Sequence, residues 1–164
     1  DGRYFAIVPE QFTMQTQKDI VTLHPCHGVM NIYIVSFERL AYRIFEELAV
    51  ESLAVLDDMG KSMVLRKVAA GKKMELKLFG SHLDKIGFIG ELKSMLSEFF
   101  QYGITAEVFE ELVSEADKEN WSAMLKQKLN DMVVLHRAFK KYTEDKKCIV
   151  KEEILEMLCR VLPD

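Results

Sequence analysis

Gly60-Lys61-Ser62 has the residue types that close a phosphate-binding loop, in which glycine-rich backbone N–H groups wrap the phosphates and a lysine neutralises their charge. That chemistry needs a further glycine five residues before Gly60, following a buried strand. Val55 stands at that place, and Leu53 to Asp58 shows no convincing strand. The triplet is therefore read as a helix start with Asp57 or Asp58 as its cap, and not as a nucleotide site. A second concentration, His24-Pro25-Cys26-His27, sets three potential metal ligands within four residues. Adjacent side chains do not easily converge on one ion without a ligand from elsewhere. His82, His136, Cys148 and Cys159 follow no recognisable ligand spacing, so the segment is read as loop surface.

The carboxylates Glu46-Glu47, Glu110-Glu111 and Glu152-Glu153 come as doublets beside lysines. Neighbours on a helix diverge, so these doublets are read as solvated surface and not as an acid and a base aimed at one bond. No Gly-x-Ser-x-Gly elbow occurs, and no cysteine–histidine pairing follows from spacing. No catalytic residue, metal ligand or cofactor-binding residue is assigned in this chain.

Two segments remain. Val8-Pro9-Glu10-Gln11-Phe12-Thr13 and Val35-Ser36-Phe37-Glu38-Arg39 each follow an apolar, β-prone run and open a helix. Such positions combine unpaired N–H groups, the positive end of a helix dipole and here an aromatic ring, the components that grip phosphates and stack bases. Phe12 and Phe37 are equally open to a simple reading as core aromatics.

The elements that would position these segments follow from hydrophobic periodicity. Arg3 to Val8 is a strand stopped by Pro9, which has no N–H for a ladder. From Phe12 the spacing Phe12, Thr16, Ile20, Leu23 predicts a helix, broken by Pro25 and Gly28. Met30 to Val35 is a second strand, leading into Ser36 as N-cap and a helix carrying Phe37, Leu40, Ala41, Ile44, Phe45 and Leu48. Strand, helix, strand, helix is the rhythm of a parallel α/β layer, whose loops at strand C-termini form the working edge. Two strands alone make no stable sheet, so the chain reads as beginning partway through an α/β domain.

Beyond residue 56 the periodicity becomes helical throughout, with helices expected near 58–70, 84–102, 105–116, 120–143 and 150–162. The longest carries Trp121, Leu125, Leu129, Met132, His136 and Phe139 as one stripe. The expected organisation is a partial α/β core over 1–56 and a helical subdomain over 57–164, helix-dominated overall.

A chain of 164 residues with 49% hydrophobic and 29% charged residues suits an ordinary folded domain. No apolar run approaches the about 20 residues of a membrane helix, and the start lacks the order of a signal peptide. Three widely spaced cysteines read as reduced thiols, which places the expected compartment in the cytoplasm. A net charge of −4 gives no global field toward nucleic acid, so any such contact has to be local.

The run VPEQFTMQTQKDI, followed by GVMNIYIVSFERLAYRIFEEL, resembles the B subunit of bacterial ATP-dependent helicase/deoxyribonucleases, the AddB type. The likeness continues in order through LDDMGKSMVLRKV, ELKLFGSHLDKIGFIGELKSMLSEFFQYGI and AFKKYTEDKKCIVKEEILEML. The resemblance implies a fragment of a superfamily 1 helicase-like motor domain with a helical insertion, whose phosphate loop would lie upstream of Asp1. It implies DNA contact through Gln11, Phe12, Thr13, Ser36 and Phe37, with Arg39 as a phosphate partner. ATP, magnesium and an iron–sulfur cluster are implied only for the parent complex, with the cluster ligands in a distant region, so Cys26, Cys148 and Cys159 inherit no cluster role. The implied partners are DNA and an A-type helicase–nuclease subunit, and the implied role is double-strand-break processing for recombinational repair. Two rival readings are a fragment of an active superfamily 1 helicase and a helical interaction module with no nucleic-acid role.

Overall fold

Aromatic and β-branched residues at the start of the chain form a strand, β1 (Tyr4–Ile7), in a computed structural model that describes residues 2–50 and 53–162. Its partner is β2 (Ile32–Val35), parallel and in register from Tyr4 opposite Ile32 to Ile7 opposite Val35. Between them lie a 3-10 turn at Glu10–Phe12 and helix α1 (Thr13–Leu23). The residue after α1, His24, is extended, as residues that precede a proline prefer. Helix α2 (Phe37–Glu47) follows β2 directly, and the Ser36 hydroxyl accepts the Arg39 N–H at 3.3 Å as its cap.

The remaining elements are β3 (Ala54–Leu56), α3 (Asp58–Gly71), a 3-10 turn at Phe79–Ser81, α4 (Phe88–Gln101), α5 (Ala106–Lys118), α6 (Ala123–Asp145), β4 (Cys148–Val150), a 3-10 turn at Lys151–Glu153 and α7 (Ile154–Val161). The chain is helix-dominated with two small parallel sheets, β1–β2 and β3–β4.

Two of these strands contradict the expectation of no strand after residue 56 and no convincing one at 53–58. β3 and β4 are three residues each, too short for periodicity to reveal. They exist because each supplies the other's ladder across more than ninety residues of chain. Helix α4 begins at Phe88 and not near 84, because Gly87 sits at φ +85 in the left-handed region, which a helix does not continue through. Trp121 lies outside α6, whose cap is Ser122 accepting the Leu125 N–H.

The chain divides into two compact units. Unit 1 joins the residues up to 52 with those from 154 onward, and unit 2 is the continuous segment 53–153 set between them. The last helix, expected with the helical subdomain, packs instead on α2 within unit 1.

Unit 2 holds most of the core. Leu65, Leu92, Leu96, Met132, Leu135, Phe139 and Val150 are nearly inaccessible, and burying each such side chain is worth about 1.5–3 kcal/mol. A carboxylate sits among them. Asp131, 1% exposed on α6, accepts the backbone N–H groups of Lys77 (2.8 Å), Leu78 (2.8 Å) and Phe79 (2.7 Å), and so pins the segment between α3 and α4. That segment is tight, since a Cβ on Gly80 would lie 2.8 Å from the Lys73 carbonyl oxygen.

His136 is a second buried polar group of α6, its ring tilted against Phe100 (5.2 Å) and Phe109 (6.1 Å) with neither ring nitrogen hydrogen-bonded. Burial first, then the charge of Lys140, hold its pKa below 6.5. Glu107 and the nearby Ile104 backbone oppose this only in part, and the latter does not reach hydrogen-bond geometry. The unfolded chain therefore takes up a proton near pH 6.5 that the folded chain resists, and stability falls as pH drops below that value. His136→Leu is expected to flatten this part of the stability–pH profile and to leave stability at pH 7 equal or higher, by up to about 1 kcal/mol. Denaturant melts at pH 7 and 5.5 check both.

Candidate functional site

Lys61 does not present a free ammonium to a phosphate. Asp57 caps α3 by accepting the Gly60 N–H at 2.7 Å, so that Lys61 falls in the first turn facing inward. Its ammonium, 6% exposed as a residue, donates to Glu152 at 2.7 Å and to Ser97 at 2.9 Å, and lies 3.1 Å from Asp58. Burial alone would lower its pKa, but the bonds to Glu152 and Asp58 outweigh that and hold it above 10.5. The Ser62 hydroxyl donates to the Asp58 carbonyl at 2.9 Å. Although β3 does precede this triplet, the glycine that would open a phosphate loop is absent.

The same ion pair corrects the reading of Glu152-Glu153 as solvated surface. Glu152 meets Lys61, while Glu153 pairs with Lys140 and accepts the Val150 N–H at 3.0 Å. The two adjacent carboxylates of this 3-10 turn diverge, as neighbours on any helix do, but each meets a buried or half-buried lysine on a different helix, α3 and α6, instead of solvent. His24 to His27 form an exposed turn in which the His24 Nδ1 accepts the Cys26 N–H at 3.2 Å. Among the described residues, no three His, Cys, Asp or Glu side chains cluster as a metal site. Cys26 and Cys159 are exposed, and burial raises the pKa of the Cys148 thiol.

The strand ends are brought together. The β1–β2 ladder runs out where the Val8 N–H donates to the Val35 carbonyl at 3.0 Å. Pro9 then offers no N–H, and its carbonyl takes the Phe12 N–H at 2.9 Å, which closes the 3-10 turn. Thr13 is buried and donates its hydroxyl to the Glu10 carbonyl at 2.9 Å, fixing the turn to α1. Ser36 is buried as the α2 cap. Gln11 is exposed, and Phe12 and Phe37 are 52% and 57% exposed, so neither ring is core. Thr13 and Ser36 thus shape the two turns, while Gln11, Phe12 and Phe37 face outward.

Arg39 bridges the turns, with its guanidinium 2.7 Å from the Glu10 carboxylate. Sequence spacing did not single out Glu10, although an acid directly after Pro9 and level with Arg39 on the neighbouring strand end was a usable signal. Both partners are exposed, so the bridge is weak and an incoming anion can exchange for it. Beneath the turns Phe5 and Tyr33 stack at 5.3 Å, and the Arg43 guanidinium lies over both rings at 5.2 and 4.4 Å. Arg43 and the stacked pair thereby hold α2 against the sheet.

This geometry defines a class: an α/β edge at which two parallel strands end side by side and each opens a helix, the place where such folds bind ligands. A family model described as ADDB, N-terminal, matches residues 1–164, and the chain belongs to that family. It is 45% identical over 163 residues to the B subunit of the ATP-dependent helicase/deoxyribonuclease of Lachnoclostridium phytofermentans, covering 99% of this chain and 14% of that protein. The B subunits of the same name from Alkaliphilus metalliredigens and Clostridium tetani are 34% identical over 87% of this chain and 31% identical over 100% of it. They are covered over 12% and 14% of their own lengths, so the chain spans about one seventh of these relatives or less. Among the described residues no helix is long and apolar enough to cross a membrane.

Proposed function

We propose that this chain is the DNA-contacting amino-terminal part of a helicase/deoxyribonuclease B subunit, a fragment of a superfamily 1 helicase-like motor domain. It positions single-stranded DNA for the processing of double-strand breaks in recombinational repair, together with an A-type subunit. Phe12 and Phe37 stack on bases, Gln11 reaches a base or sugar edge, and Arg39 leaves Glu10 for a phosphate. Thr13 and Ser36 hold the turns that present them. ATP, magnesium and the iron–sulfur chemistry of such complexes belong to other regions, and this chain supplies no catalytic group.

The observation that carries the reading is the pairing of two strand ends that leave aromatic rings half exposed beside an exchangeable arginine. With Glu10 and Glu38 flanking Arg39, net positive charge there is small, so stacking has to supply most of the affinity. Phe12→Ala with Phe37→Ala in the full-length complex is expected to weaken single-stranded DNA binding by about thirtyfold or more, since losing each of the two base stacks costs about 1–3 kcal/mol. Both rings are exposed, so stability should stay within about 0.5 kcal/mol. Fluorescence anisotropy at several salt concentrations tests this, and unchanged affinity would remove these residues from the DNA path.

A further inference from the structure

Unit 2 contains a groove of ≈ 590 Å³ that none of the chemistry above uses. Its floor is one face of α3, with Ser62, Arg66 and Ala70 spaced four residues apart, the repeat that puts side chains in one row, and Lys73 follows just past the helix end. Its wall is the segment Leu83 to Gly90, including Lys85 and the first turn of α4. Three cations line it against one carboxylate, Asp84, which Lys73 already neutralises at 3.0 Å. Arg66 and Lys85 have no ion-pair partner among the described residues. In a chain of net charge −4, these two cations give this concave surface a local positive charge.

The volume lies within the range of small-ligand and strand-binding clefts, about 300–1,000 Å³. Apolar surface borders it, since Ile86 of the lining is fully exposed.

We infer that this groove binds a phosphate group, carried either by a nucleic-acid strand or by a free oligophosphate. Arg66 offers the planar fork that suits phosphate oxygens, and Lys85 a mobile point charge across from it. The strand as source rests on the proposed function; the phosphate chemistry does not.

The test uses the full-length subunit with Arg66→Glu and Lys85→Glu combined, against Lys118→Glu and Lys128→Glu combined, which change net charge equally on exposed faces of α5 and α6. Two probes are titrated, fluorescein-labelled oligothymidylate and inorganic tripolyphosphate. For a strand, the groove pair should weaken binding at least fivefold and make the logarithmic salt dependence shallower by about 1.4, from about 0.7 for each lost contact. If instead strand binding is unchanged and tripolyphosphate binding falls more than tenfold, the site stands with a free oligophosphate as its source. Unchanged binding of both probes, or equal losses in the control pair, overturns it. Because Phe12→Ala with Phe37→Ala should leave the salt dependence unaltered, failure of the strand ends and failure of the groove give different results.

Discussion

Asp131→Ala is expected to lower stability by about 3–5 kcal/mol, a large part of what a domain of this size has to lose. The carboxylate serves three backbone donors at 2.7–2.8 Å inside unit 2. Deleting it leaves the N–H groups of Lys77, Leu78 and Phe79 without this acceptor, the first two half-buried and that of Phe79 in a place water reaches poorly. Each such orphan costs about 1–3 kcal/mol, reduced in sum by whatever the segment relaxes. Gly80 limits that relaxation, because the backbone there already approaches the Lys73 carbonyl closely. Asp131→Asn keeps one carbonyl oxygen and should lose about half as much. Denaturant unfolding at pH 7 with both variants reads the difference, and a loss under about 1 kcal/mol for the alanine variant would contradict this role.

Lys61→Ala comes second, with an expected loss of about 3 kcal/mol, because it strands the carboxylate of Glu152 among α3, α4 and the turn after β4. Lys61→Met together with Glu152→Leu should recover most of this loss, since a buried pair replaced by apolar side chains of similar size is often neutral. The pH dependence has a definite sign. Burial pushes the Glu152 pKa up, but the hydrogen bonds from Lys61 and Ser97 win and hold it below 4.5. Its contribution is therefore full above pH 4.5 and is lost as pH falls through the depressed folded value. Lys61 contributes fully below pH 10.5 and loses its part only as pH rises through its raised folded value. The acid limb of stability thus has two parts, an upper one beginning near pH 6.5 that His136→Leu flattens and a lower one below pH 4.5 that Lys61→Ala removes or reverses, because burial then acts on Glu152 without Lys61 to oppose it.

The local part of this architecture was readable in the residues. Pro9 stops β1, Ser36 starts α2, Asp57 starts α3, and the three- and four-residue spacing from Phe37 to Leu48 gives α2, because each of these depends on neighbours a few positions away. What stayed hidden depends on partners far along the chain. Cys148 to Val150 is a strand only because Ala54 to Leu56 lies beside it. Asp131 looks like one more polar residue of a long helix until the segment 77–79 arrives from more than fifty positions away in sequence. Glu152 sits in a doublet that spacing assigns to solvent, yet its partner Lys61 is 91 residues distant. Of the candidate site, the residue types at both turns were evident, but not that Thr13 and Ser36 point inward while Phe12 and Phe37 face out. Nor could spacing show that Arg39 closes on Glu10, since a salt bridge between two strand ends requires the register of the sheet.

The decisive measurement is site-specific photo-crosslinking in the full-length complex, with a photoreactive benzoylphenylalanine in place of Phe12, of Phe37, or of Tyr102 after the last turn of α4, which is 75% exposed. If the paired strand ends hold single-stranded DNA, positions 12 and 37 crosslink to a labelled strand, unlabelled single strand competes the signal away, and position 102 gives little. Crosslinking at position 102 equal to that at 12 and 37, or none at either strand end, would contradict the assignment.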